Sequence, residues 1–551
     1  MVQCIMSQGR KRIIVCLDGT WVNSDKGYVR PTLSQPNASL QVPSNVSRLY
    51  RALKRRDRDG RLQVMYYHSG VGSGSFTDAI AGGAFGAGLS ENIREAYDFI
   101  TTNYESGDEI IIVGFSRGAF TARSLAGLIT EIGLLNSTGM QSFYPIFKDI
   151  ENAQNPQYKD QFRSMPFSHK PRPPFQTKVY RRRLEEGGFT RIYDADGSSI
   201  KVRCVAVWDT VGSLGIPDTN IGVRKGYQLL ITYRFYDTSL SNGIEYAFQA
   251  LALDETRTSF APAVWEKPHH VLTDLRQVWF LGSHANVGGG WPDQELANVS
   301  MAWMMDQLAS IGVAFDDGTI DHIFQDNVRY YLDHPNASQS TLNPFKRRPW
   351  TQWAVSDIYK EHRPVRPWAL GKIYESETGF YHLAGKTTRT PGMYHHVDPQ
   401  KAVSTARFLS NTNERIHRSV RIRLELEGLG FDDVGLYKCP ALFKEGPWRL
   451  KRMSIESLNI LLHRQGQSPY GNSGKASGEE DGSCWTWKYV GPKHGAPPVT
   501  VMVEEAIGPY ESRLLSLNKV IPYTTDNQPE MSQLGGNLYC LGRKKIPAYE
   551  R

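Results

Sequence analysis

The chain of 551 residues holds only six cysteines (Cys4, Cys16, Cys204, Cys439, Cys484, Cys540), with no C-x-x-C pair among them. So few and scattered thiols argue against a disulfide framework, and a reducing compartment fits. Cys16 and Cys204 lie inside apolar runs, where a free thiol acts as a small hydrophobe. No stretch approaches the roughly 18 apolar residues of a membrane-spanning helix. Even the Gly/Ala stretch from Ala79 to Leu89 is short and weakly apolar. Met1 to Arg12 lack the apolar centre of a signal peptide. The expectation is a cytoplasmic chain, or one peripheral at a membrane. There is no internal repeat and no zinc-finger or RNA-binding signature, so no nucleic-acid partner is expected.

What is present is a globular composition, 40% apolar and 22% charged, able to bury a sizeable core. The length allows about two to four domains, or one large domain with insertions. The net charge of +8 is concentrated in short clusters: Lys54, Arg55, Arg56 and Arg58; Arg181 to Arg183; Lys346 to Arg348; Arg543 to Lys545. Such clusters are ordinarily solvated surface; the sharper reading is affinity for anionic lipid headgroups.

The first 130 residues alternate strand and helix signals. Ile13 to Leu17 reads as a buried strand closed by Asp18-Gly19-Thr20, and Asn45 to Leu53 as a helix capped by Ser44 or Asn45. Leu62 to Tyr67 is the next strand and Glu91 to Tyr104 the next helix, followed by strand Ile110–Val113 and helix Ala119–Ile129. Fully apolar strands alternating with helices predict a mostly parallel sheet with helices on both faces. Further on, Val202 to Trp208 and Gln277 to Leu281 read as strands, and Ile244 to Leu253 between them as a helix. The fold class is therefore α/β, hydrolase-like, with large insertions and a small C-terminal unit. The expected division is a domain over 1–430 with insertions at about 135–200 and 300–400, a connecting segment 431–464, a flexible linker 465–483 and a small unit 484–551. Within the second insertion, 345–400 is rich in Trp, Pro and Tyr and reads as a lid.

The strongest chemical signal is Gly114-Phe115-Ser116-Arg117-Gly118, a G-x-S-x-G directly after an apolar strand and before a helix. A serine on so sharp a turn needs Gly114 and Gly118 beside it, because side chains there would clash. The turn lifts the hydroxyl above the sheet, at the positive end of the following helix. The bland alternative is a strand–helix turn with a capping serine. If it is a nucleophile elbow, the N–H of Arg117 is one expected oxyanion donor, and the N–H of Gly19 or Thr20 the other. Asp18 would fix that first turn by accepting backbone N–H bonds.

A nucleophilic serine needs a base, and the base an orienting carboxylate. Asp209 ends the apolar strand Val205–Trp208, at the sheet edge where sites collect. His284 follows Val278–Leu281 and runs into Val287-Gly288-Gly289-Gly290. Their plainer readings are a turn aspartate and a buried, hydrogen-bonded histidine. His417 competes as the base, with His395 and His396 behind it.

With these residues the chain resembles the α/β-hydrolase family typified by the first class of type VI secretion phospholipase effectors, abundant in fungi as stand-alone members. The matching segments are Cys16–Trp21, Ser69–Gly74, Gly114–Arg123, Val207–Gly212, Ala252–Arg257 and Trp279–Trp291. They run in family order from about residue 10 to 295. The resemblance implies a lipase-type triad of Ser116, Asp209 and His284. One departure is Asn286, where the family usually carries an acid two residues after this histidine.

The expected function is a serine hydrolase of acyl esters, and the resemblance implies a phospholipase or lipase. Its substrate would be an acyl ester or phospholipid, met at a peripheral membrane surface, with no cofactor and no metal. Alternatives are a hydrolase of soluble esters or thioesters, and a non-catalytic binding protein on a hydrolase scaffold. An aspartate-nucleophile phosphatase would need an aspartate where Cys16 stands. A metal hydrolase lacks a close ligand pair.

Overall fold

The structure, a computed structural model, describes residues 10–19, 28–29, 39–70, 84–211, 239–333, 366, 368–375, 386–397, 404–443, 447–464 and 483–518. The first apolar run becomes β1 (Arg12–Leu17), with all six residues buried. Then come α1 (Asn45–Ala52), β2 (Gln63–His68), α2 (Ala84–Asn103), β3 (Glu109–Phe115) and α3 (Arg117–Ile132). The first insertion contributes α4 (Phe143–Glu151) and α5 (Thr177–Glu186). The chain returns to the sheet as β4 (Val202–Trp208), β5 (Ile244–Ala252) and β6 (Asp274–Phe280), followed by α6 (His284–Gly288) and α7 (Glu295–Ser310). The last elements used below are β7 (Glu414–His417), α8 (Arg418–Glu425), β8 (Trp448–Ser454), β9 (Ser483–Tyr489), β10 (Val501–Glu505) and α9 (Pro509–Leu517).

Ten strands form one sheet in the order β8-β9-β10-β7-β6-β5-β4-β3-β1-β2. Pairing is parallel from β2 through to β10 and antiparallel at β10–β9 and β9–β8. Alternate residues point to opposite faces. Ile14, Cys16, Ile111, Val113 and Cys204 pack with Val46 and Leu49 of α1 and Trp303 of α7. Ile13, Val15, Ile110, Ile112 and Val205 pack with Ile93 and Tyr97 of α2 and Ala122 and Leu125 of α3. Burial on both faces is why these strands read as unbroken apolar runs. This is the α/β architecture expected from the sequence. From β1 the chain moves out to β2 and then back to β3 on the other side. The C-terminal ends of β1 and β3 therefore flank a topological switch point, where open α/β sheets place their ligands.

One element differs from expectation. Ile244 to Ala252 is a strand, paired along its length with β4 and β6, and not a helix. Its sequence, IEYAFQALA, is apolar almost throughout. A short run of that kind does not separate a central strand from a buried helix by periodicity, and pairing on both sides overrides the local alanine preference. The C-terminal strands β8 to β10 continue the main sheet, joined to it where β10 pairs with β7. The expected linker lies outside the described residues apart from Ser483, which opens β9. In the lid stretch, Trp368, Leu370 and Ile373 are buried in the core. Among the described residues no helix is long and apolar enough to cross a membrane.

The first insertion sits at the far end of α3. Thr177 bonds Glu131, and Arg181 donates to the Thr130 carbonyl at 3.3 Å, both at the C-terminal turns of α3. The arginine cluster 181–183 therefore stands at the opposite end of that helix from Ser116. The clusters at 346–348 and 543–545 lie outside the described residues.

Candidate active site

Ser116 joins β3 to α3 with φ 57° and ψ −119°, a conformation rare for a residue with a side chain. The glycines beside it are sterically required. A Cβ on Gly118 would stand 2.1 Å from the Leu17 carbonyl oxygen, and one on Gly114 would stand 2.5 Å from that of Gly118. The turn is thus pressed against the end of β1, and α3 starts directly behind the serine.

His284 opens α6, just past the end of β6. Its Nε2 lies 2.8 Å from Ser116 Oγ, and its Nδ1 lies 2.6 Å from Asp209 Oδ2. The ring is held between two aromatics, Phe115 at 4.6 Å and Phe260 at 4.9 Å between centroids. Gly288 makes room for this packing, because a Cβ there would stand 1.9 Å from the Phe115 ring. Burial lowers the imidazole's pKa from the ordinary 6.5, and outweighs the opposing pull of Asp209. At neutral pH the ring is therefore uncharged and free to accept a proton from the serine.

Asp209 follows β4 with φ 39° and is fully buried. Its Oδ1 accepts the N–H of Ala252 at 2.9 Å and Nη1 of Arg389 at 2.5 Å; its Oδ2 accepts His284 Nδ1 and, at 3.0 Å, Nη2 of Arg389. Burial alone would raise its pKa, but the guanidinium and the imidazole together hold it below the usual carboxylate range. The structure thus brings Ser116, His284 and Asp209 into one hydrogen-bonded chain.

Asp18 is tied on both oxygens. Oδ1 accepts the Gly19 N–H at 2.7 Å, and Oδ2 accepts Ser44 Oγ at 2.7 Å and Tyr67 OH at 2.9 Å. Gly19 is close to the serine, since its Cβ would stand 3.3 Å from Ser116 Cβ. Yet its N–H is engaged by Asp18, which differs from the expected oxyanion donor. Thr20 lies outside the described residues. Arg117 is the first residue of α3, so its N–H belongs to the helix turn whose donors have no acceptor within the helix.

The competing histidines are not brought to Ser116. His417 is fully buried between Ser419 Oγ and Glu511 Oε1, both at 2.8 Å. His395 stacks on Phe408 at 4.1 Å, and His396 Nε2 lies 3.2 Å from Glu266. Asn286 uses both ends of its amide. Nδ2 donates to the Lys372 carbonyl at 3.0 Å, while Oδ1 accepts Ser283 Oγ at 3.0 Å and the Tyr374 N–H at 3.1 Å.

Three residues of the site carried no role in the sequence reading. Glu255 accepts the His284 N–H at 3.1 Å and is clamped by Arg257, with contacts of 2.8 and 2.9 Å. Although burial opposes it, Arg257 brings the Glu255 carboxyl down to about 2. Both lie in the Ala252–Arg257 segment that helped mark the family resemblance, so a signal existed. The third, Arg389, lies in the lid stretch with nothing local to distinguish it. A separate cavity of about 390 Å³, lined by Arg123, Thr130, Glu131, Leu240 and Trp265 among others, lies along the later turns of α3 and does not include the triad residues.

A family model for the catalytic domain of type VI secretion Tle1-like phospholipase effectors matches residues 11–307. An uncharacterised protein of Saccharomyces cerevisiae is 28% identical over 269 residues, 46% of this chain and 32% of that protein. The chain thus spans about a third of the curated relative it matches. Two solved structures share the comparison at low similarity. An uncharacterised protein from Pseudomonas aeruginosa has a TM-score of 0.29 and 13% identity, covering 56% of this chain and 47% of its own. The Tle1 effector bound to the VgrG spike of the type 6 secretion system has a TM-score of 0.25 and 18% identity, covering 51% and 52%. The family match spans more than half of the 551 residues and contains the strand–serine–helix turn, the aspartate and the histidine described above, so the chain belongs to the Tle1-like phospholipase effector catalytic family.

Proposed function

We propose that this protein is a serine-dependent carboxylic ester hydrolase acting on the acyl esters of phospholipids. The observation that carries the reading is the bridge made by His284 between a backbone-strained serine and a buried, ionised aspartate. Ser116 Oγ attacks the acyl carbonyl while His284 Nε2 takes its proton. Asp209 holds the ring in the Nδ1–H tautomer and stabilises the imidazolium. The Arg117 N–H at the start of α3 meets the charge developing on the carbonyl oxygen. His284 then protonates the departing alkoxide, leaving an acyl group on Ser116, which water removes by the same path in reverse. Family membership and substrate-class resemblance support phospholipid over other esters.

The test pairs a fluorophosphonate probe with lipid turnover. Wild type is expected to be labelled and to release fatty acid and lysolipid from phosphatidylglycerol and phosphatidylcholine vesicles, while Ser116→Ala does neither. Equal labelling of the two proteins overturns the serine assignment. Turnover of short-chain esters with intact vesicle lipids moves the substrate to soluble esters. A Ser116→Ala protein that keeps its cellular effect favours a binding role on the same scaffold.

A further inference from the structure

The triad aspartate has an unusual companion. Arg389 is 3% exposed and places both terminal nitrogens on Asp209, one per carboxylate oxygen. The guanidinium is itself fixed, because Nη1 also donates to the Ala252 carbonyl at 2.6 Å and Nη2 to that of Phe260 at 2.8 Å. Its backbone is anchored just upstream. Thr387 donates its N–H to the Thr256 carbonyl at 2.8 Å, and the backbones of Lys386 and Arg257 pair in an isolated antiparallel β-bridge. Arg389 thus ties three catalytic-end loops together: the one after β4 carrying Asp209, the end of β5, and the loop at Phe260 that packs on His284.

Asp209 offers about four lone-pair directions. One is used by the Ala252 N–H, two by Arg389 and one by His284. The guanidinium leaves the carboxylate a single remaining direction, toward Nδ1. Its positive charge also offsets part of the carboxylate's pull toward an imidazolium. The residue therefore orients the base and weakens its hold on a proton.

We propose that Arg389 is a positioning residue of the hydrolytic site, acting on Ser116 and His284 chiefly through Asp209. This rests on the triad reading above. The charged groups facing His284 from the packed elements are Asp209 after β4, Glu255 and Arg257 after β5, and Arg389 behind Asp209. Phe115 packs tilted against the ring and Phe260 meets it edge-on. Removing the guanidinium leaves the carboxylates in excess around the ring, so His284 holds its proton to higher pH.

The experiment measures kcat, KM and the pH dependence of kcat/KM on a short-chain ester for wild type, Arg389→Met, Arg389→Lys, Asp209→Asn and the Arg389→Met/Asp209→Asn double variant. Arg389→Met is expected to lower kcat by about 10²-fold with KM within about 2-fold, and to move the acid limb to higher pH. Arg389→Lys keeps the charge but not the fork, so it loses rate with the limb near that of wild type. In the Asp209→Asn background, Arg389→Met is expected to cost less than about 3-fold more, because the two act as one unit. The double variant has no unpaired buried charge, so it folds even where Arg389→Met does not. Full additivity of the two losses overturns the proposal, as does an unmoved acid limb in a folded Arg389→Met. Failure of the triad reading itself is recognised separately, by Ser116→Ala retaining ester turnover.

Discussion

Two buried imidazoles in this molecule each stand between a serine hydroxyl and a carboxyl group, and each is covered by two aromatic rings. His284 lies between Ser116 and Asp209 under Phe115 and Phe260. His417 lies between Ser419 and Glu511 under Phe280 and Trp368. The differences lie in what surrounds each chain of atoms. Ser116 sits on a strained turn at φ 57°, whereas Ser419 sits in the first turn of α8, two residues beyond His417, and is 1% exposed. Asp209 is held ionised by Arg389, while burial drives the Glu511 carboxyl well above its ordinary range and His417 down to about 3. The second constellation is a buried hydrogen-bonded bridge that fastens α9 to the end of β7. Both serines stand at the start of a helix, so what separates the two chains of atoms is a hydroxyl presented on a strained turn and an acid held ionised.

The sharpest way to break this contrast is to replace each ring. His284→Gln is expected to lower ester turnover by about 10⁴-fold while leaving the fold intact. His417→Gln is expected to do the reverse. It should cost about 1–3 kcal/mol of stability, read as a shift in urea midpoint, and leave turnover per folded molecule within about 3-fold. Activity normalised by the folded fraction separates the two outcomes, and loss of turnover only in His417→Gln would exchange their roles.

Why the sequence separates these sites only in part is a matter of range. The Ser116 turn is legible because its constraints are local: glycines at 114 and 118 are imposed by backbone within a few ångströms. Asp209 and His284 are legible because each follows directly on an apolar strand, and parallel strands deliver their C-terminal ends to one edge. His417 also ends a strand, and nothing near it in the chain reveals that its partner is Glu511, 94 positions on. Arg389 meets Asp209 across 180 positions from a stretch marked only by composition. Asp18 accepting a backbone N–H of its own turn is legible from residue type, but that the N–H is that of Gly19 depends on how the turn closes. The strand at 244–252 was hidden for a related reason: its identity comes from the two neighbours that pair with it.

The acids give a second, smaller comparison. Asp209→Asn removes an ionised partner, so the imidazole loses both its tautomer preference and its counter-charge. Turnover is expected to fall by about 10³–10⁴-fold. Glu511→Gln replaces a carboxyl that burial pushes well above its ordinary range with an uncharged group of the same shape. Turnover should be unchanged, and stability at about pH 5, near the ordinary carboxyl value, should move by about 1 kcal/mol or less. The sign with pH follows from the raised carboxyl. Wild-type Glu511 contributes its full stability below the unfolded carboxyl's ordinary 4.5 and loses it as pH rises toward the folded value. The difference between wild type and Glu511→Gln should therefore shift in favour of the glutamine as pH is raised from 5 to 9 in urea titrations. A Glu511→Gln protein as inactive as Asp209→Asn would end the distinction between the two sites.

The smallest effect concerns Asn286, at the position where the resemblance leads one to expect an acid. Asn286 caps α6 through Ser283 and reaches across to the 372–374 segment with both ends of its amide. An aspartate would keep the acceptor for Ser283 and Tyr374. Its second oxygen would face the Lys372 carbonyl, now 3.0 Å from Nδ2, with no hydrogen to share. Asn286→Asp is thus expected to cost about 1–2 kcal/mol in stability. Turnover should stay within about 3-fold, since neither end of the amide is bonded to His284, Asp209 or Ser116 in this site. The added negative charge, two residues from His284, should raise the imidazole's pKa slightly and move the acid limb of kcat/KM upward. That is the same direction as removing Arg389, but without its loss of rate. A Asn286→Asp protein with a rate loss as deep as that of Arg389→Met would mean that the asparagine, too, holds the base in place, and that the active histidine is oriented from both ends of its turn.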